Sequence, residues 1–163
     1  MGASIILWLV AVYTARTALC GNPLTRMVRR AEPEFAARLD ALTMHQAGEI
    51  TVEELRFLRR FSRLGLLEMI MLGVELVLFA VLWWRNVLPV LTLGIFLKNI
   101  VMMGFSVVLA YTYMANGVFR ALLALPPWIG FVERASALVS AAGALATLLH
   151  LNGWDGIFTG AGG

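Results

Sequence analysis

Four apolar stretches constrain this chain more than anything else in it: Ala3 to Leu19, Leu64 to Trp84, Val87 to Tyr113 and Ala135 to Leu151. A helix needs about 20 apolar residues, each rising about 1.5 Å, to cross about 30 Å of hydrocarbon. Within lipid a helix also satisfies its own backbone polar groups, which an isolated strand does not. The first stretch contains Arg16, whose guanidinium has to snorkel to the interface from near the span end. Only Arg85 and Asn86 separate the second stretch from the third, so these two form a tight antiparallel hairpin. In the fourth, Ser136, Ser140 and Ala144 recur four apart, with Ala137 and Ala141 on the adjoining stripe. Such spacing lets backbones approach closely and predicts a helix buried against its neighbours.

The expected fold is an all-α integral membrane protein in a single membrane domain, residues 1–163. It has about four transmembrane helices, with a helical hairpin on the cytoplasmic side, residues 21–63, between the first and second. Composition agrees: 60% of the residues are apolar, 14% are charged, and the mean hydropathy is +0.82. Trp83, Trp84, Trp128 and Trp154 fall near expected span ends, where an amphipathic ring prefers the headgroup level. Pro126 and Pro127 read as a break after the third span.

Twelve of the thirteen basic residues are Arg, and eight of them lie in Gly21 to Arg63. Arg120 and Arg134 flank the other loop on that side, and Arg85 stands alone on the opposite one. The positive-inside rule therefore places the long loop in the cytoplasm, or in the matrix or stroma of an organelle, with both termini opposite. A bacterial cytoplasmic membrane or an organelle inner membrane is the expected location, and lipid and other membrane subunits are the expected partners. A basic groove for nucleic acid is not expected, because the arginines cluster beside a span. The single cysteine, Cys20, leaves no internal disulfide and no CxxC motif. Met1 to Ser4 lack the basic start of a secretory signal, and Leu19 does not suit lipoprotein processing at Cys20, so the N-terminus is expected to be retained.

Within the loop, Ala31 to Arg63 reads as two helices, with Phe35, Leu39 and Leu42 at helical spacing, a break at Gly48 and a restart at Thr51. Thr51 and Glu54 form a capping-box pattern, in which side chain and backbone satisfy each other's unpaired N–H groups. Val52, Leu55 and Leu58 make the expected apolar stripe of the second helix. Arg56, Arg59, Arg60 and Arg63 form a basic patch just outside the second span, where each can meet anionic lipid at about 1 kcal/mol. The run Met44 to Leu55 resembles the turn of SHOCT-type helix–turn–helix segments, which implies oligomerisation. It also resembles an EF-hand, with Gly48 at the sharp turn, Ile50 at the loop hydrophobe and Glu54 at the last position. Thr43, His45 and Ala47 stand where that loop needs oxygen ligands, so no calcium is expected.

Glu75 lies eleven residues into the second span and Lys98 eleven into the third. Counted from the turn they sit about 15 and 18 Å deep. A bare charge at such depth costs at least about 2.5–3.5 kcal/mol, so an intramembrane pair is expected, with Asn99 adding a hydrogen bond. The alternative is an ion pathway using Glu68 and Glu75, two turns apart on one face. His45 and His150 are expected on opposite sides and so share no metal. Met69, Met71, Met102 and Met103 read as core gap-fillers. The glycines after Trp154 match no phosphate loop. No catalytic residue, cofactor or metal site is expected.

Three function classes follow. The favoured one is a structural or accessory subunit of a larger multi-subunit membrane complex. The second is an oligomeric ion- or proton-conducting protein using Glu75 and Glu68. The third is a membrane enzyme, because four spans, a basic loop after the first and the chain length resemble the MAPEG group of glutathione-dependent transferases and isomerases. That family carries an Asn three residues before a Glu at the start of its second span. Gly65 stands in that place before Glu68, and Tyr111 and Tyr113 are no clear match to its third-span residues, so no catalytic residue is carried over.

Overall fold

Long apolar runs make the described residues mostly helical, and side-chain caps start α2 and α4. The computed structural model describes residues 2–43, 48–114 and 117–153. In order these form α1 (Gly2–Cys20), α2 (Pro23–Val28), α3 (Pro33–Thr43), α4 (Val52–Trp84), α5 (Pro89–Met114), α6 (Val118–Ala124) and α7 (Pro127–Leu151), with no strand among the described residues. Helices α1, α4, α5 and α7 are each long and apolar enough to cross a membrane. The chain is an all-α, multi-pass integral membrane protein. Its outward surface bears this out: Trp8, Leu9, Met69, Val77, Val101 and Val107 are all more than half exposed, which lipid tolerates and water does not.

Helix α4 carries both the surface packed against α3 and the long apolar stretch in one piece. Its 33 residues extend about 50 Å, more than the hydrocarbon needs, so the Arg-rich first turns project beyond it. Thr51 starts the helix as its spacing predicts. Its Oγ1 accepts from the Glu54 N–H at 3.3 Å, and Glu54 Oε2 accepts from the Thr51 N–H at 2.7 Å. The buried stripe differs from the expected one. Val52 and Leu55 are exposed, while Glu54, Phe57, Leu58 and Phe61 face inward. The reason is the partner surface: α3 and α6 bring Phe35 and Phe119 into edge contact with Phe57, at 5.3 and 5.9 Å, and aromatic area outweighs the smaller aliphatics.

Proline sets two helix starts. Helix α5 begins at Pro89 rather than Val87, because a first-turn proline gives up no needed N–H and holds the preceding residue outside the helix. The turn therefore spans Arg85 to Leu88, with Asn86 and Leu88 at positive φ of 59° and 45°. Pro126 and Pro127 likewise open α7, so the helix containing the fourth apolar stretch starts before Ala135. Helix α6, which no periodic pattern announces, bridges α5 and α7.

Two cores result. One joins Leu7, Val10 and Ala11 of α1 to Leu78 and Phe79 of α4, Ile95 of α5, and Ala144 and Leu148 of α7. The small-residue stripe of α7 lies along α1, and at Gly143 the Ile95 side chain occupies the space that a Cβ would take. The second core, Val28, Ala36, Leu39, Leu42 and Phe119, sits among α2, α3, α6 and the start of α4. Met44, His45, Gln46, Ala47 and Trp154 lie outside the described residues, and with them the first third of the SHOCT-like run and the glycine-rich tail.

Candidate functional site

The polar residues buried among apolar helices meet at one node. Glu75 of α4 is 7% exposed and Ser140 of α7 is 1% exposed. Lys98 of α5 is half-buried. Lys98 Nζ lies 3.4 Å from Glu75 Oε1 and donates to the Ser136 carbonyl at 3.3 Å. It also donates to Ser140 Oγ, and the Ser140 hydroxyl in turn donates to Glu75 Oε1. One cation, one carboxylate oxygen and one hydroxyl thus meet across three helices, which offsets part of the cost of burying the charges.

The serine spacing builds this arrangement. Ser136 and Ser140 are one turn apart on α7, and their small side chains let the Lys98 ammonium approach the backbone closely enough to reach a carbonyl. By its spacing along α7, Ser140 reads as a packing residue. Its hydroxyl within an apolar helix was the available sign of a polar role. Asn99 is 1% exposed, and its Nδ2 has no hydrogen-bond partner among the described residues, so it does not join the node.

Glu68 stands in different surroundings. Tyr13 of α1 lies beside it, its hydroxyl close enough to the Glu68 carboxylate to interact with it. Glu133 of α7 is its like-charged neighbour, with Arg16 in electrostatic reach of Glu68 and Arg29 in reach of Glu133. Glu68 and Glu75 are about 10 Å apart along the helix axis and serve separate groups of residues.

Beyond the apolar part of α4, Glu54 is 2% exposed and pairs with Arg38 at 2.5 Å. The Thr51 backbone N–H, the Thr51 hydroxyl and the Arg38 guanidinium outweigh burial and hold the Glu54 carboxyl below its ordinary value. The four arginines of the basic patch divide: Arg56 and Arg60 line a cavity with residues of α1 and α2, and Arg59 and Arg63 do not. His150 lies in the last turn of α7, and Cys20 is exposed at the end of α1. Among the described residues no group of three His, Cys, Asp or Glu is placed to hold a metal ion.

No family model matches the chain, and no curated protein or solved structure matches it.

Proposed function

We propose that this chain is a structural or accessory subunit of a larger multi-subunit membrane complex. The observation that carries the reading is the closed node of Glu75, Lys98 and Ser140. A conducting site needs an ionisable group open to water, whereas Glu75 is 7% exposed and engaged by two partners. The most deeply placed charges of the chain therefore hold helices together. An apolar groove of about 760 Å³ along α1 and α4, bounded by Ala3, Ile6, Gly73, Val77 and Val81 and reaching Arg85, is shaped for hydrocarbon or another helix rather than a solute. The Arg bias supports placing the hairpin in the cytoplasm, or in the matrix or stroma of an organelle, and the chain in a bacterial cytoplasmic or organelle inner membrane.

The test is gentle extraction from the native membrane followed by mass measurement of the intact assembly. A fixed ratio of this chain to a different integral membrane protein, whose abundance falls when this chain is deleted, is the expected result. A ring made only of this chain that passes current, and loses it in Glu75→Gln, contradicts the proposal. That second reading draws its support from Glu68, a half-buried carboxylate beside Tyr13 and the like-charged Glu133.

A further inference from the structure

On the hairpin side of the bundle, a cavity of about 540 Å³ opens between the end of α1, α2 and the first turns of α4. Arg16, Arg26, Arg30, Arg56 and Arg60 line it, against one carboxylate, Glu53. None of the five is ion-paired among the described residues. Arg26 reaches only the Cys20 carbonyl, at 3.5 Å. The local sequence builds this convergence. Asn22 caps α2 by accepting from the Leu24 N–H at 2.8 Å, and Pro23 opens the helix, which turns Arg26 toward α4. Arg56 and Arg60, one turn apart, share the facing stripe of α4, while Arg59 and Arg63 occupy the adjoining one.

Five guanidiniums around one volume repel one another, and Glu53 in the lining with Glu68 in reach of Arg16 does not offset them, so the arrangement favours a bound anion. The rest of the wall is apolar. Phe35 and Phe57 line it, as does Leu64, where the apolar part of α4 begins. The cavity thus combines five cationic side chains with an apolar lining that includes the start of the long apolar run of α4, the profile of a lipid headgroup and its glycerol. Guanidinium forks match phosphate oxygens in pairs. We infer that this cavity holds the phosphate headgroup of an anionic phospholipid, clamped between α2 and α4 with its acyl chains leaving past Leu64. The inference is independent of the subunit reading, since the ligand is lipid and the residues are separate from the node.

The test uses the full chain reconstituted in phosphatidylcholine containing phosphatidylglycerol, with retained lipid counted by native mass spectrometry. Wild type retains phosphatidylglycerol over phosphatidylcholine, and Arg56→Gln/Arg60→Gln lowers that retention by about tenfold or more. Arg59→Gln/Arg63→Gln removes the same charge from the same helix and leaves retention unchanged. Arg26→Gln/Arg30→Gln, which alters α2 instead, reproduces the loss and guards against a folding defect in the first variant. Millimolar inorganic phosphate leaves the lipid in place. Equal losses in the two α4 double variants reduce the effect to diffuse surface attraction and overturn the inference. Displacement by inorganic phosphate identifies a free-anion site and overturns it equally, as does a wild type that retains no anionic lipid.

Discussion

The carboxylate of Asp40 lies against Gly117 and accepts hydrogen bonds from the next N–H groups of the chain but one, those of Phe119 at 2.9 Å and Arg120 at 2.8 Å. Asp40 is a residue of α3, so the hairpin helix caps the start of α6 across almost half the sequence. Gly117 has φ of 91°, and a Cβ there would strike the Asp40 carboxylate. The two residues require each other: the glycine leaves room for the carboxylate, and the carboxylate satisfies donors that the glycine leaves uncapped. Asp40→Ala should therefore cost about 1–3 kcal/mol by leaving buried donors unpaired. Hydrogen exchange is expected to rise in α3 and α6 together. A rise confined to α3 contradicts the latch.

Acid should loosen the same region from the other side. Glu54 has a folded-state acidity stronger than its unfolded one, so its contribution is fully present above about pH 4.3 and is lost as the pH falls through the lower folded value. Exchange protection at the start of α4 should fall in that acidic window, and Glu54→Gln should flatten the dependence. Thr51→Ala, which removes the cap, should cost about 0.5–2 kcal/mol at neutral pH. An unchanged acid profile in Glu54→Gln refutes the assignment.

What sequence made legible was local. The apolar runs that become α1, α4, α5 and α7, and the capping box of Thr51 and Glu54, depend on residues within one segment. The depths of Glu75 and Lys98 could be counted because a short turn fixes them. Pro89 and Pro127 were harder, since a proline reads equally as the end of one helix or the start of another. The Phe57 and Phe61 face displaced the Val52 and Leu55 stripe because the partner surface, Phe35 and Phe119, comes from distant segments. Asp40, Ser140 and Tyr13 act across helices, and no periodicity within one helix announces that.

Close approach of α5 and α7 at Gly143 gives a further expectation. Gly143→Ala should destabilise the bundle by about 1–3 kcal/mol through overpacking against Ile95. Adding Ile95→Val should recover part of that loss. Denaturant titration in mixed micelles reads both. Full tolerance of Gly143→Ala contradicts the packing.

Orientation is tested by side-specific thiol labelling in a Cys20→Ser background. The Arg bias predicts that Glu49→Cys reacts from the cytoplasmic side and Asn86→Cys from the opposite side. Labelling of both from one side contradicts the crossing of α4, and reversal of the two overturns the orientation.

The central claim is that Glu75, Lys98 and Ser140 form a structural tie. The most direct test is a double-mutant cycle between Glu75→Gln and Lys98→Met, read as stability in lipid bicelles. Each single substitution should cost on the order of 2 kcal/mol, because it strands a buried charge, and the double variant should recover more than half of the summed loss. A double variant as unstable as the sum of the two singles, to within about 0.5 kcal/mol, contradicts the tie and leaves Glu75 free for another role.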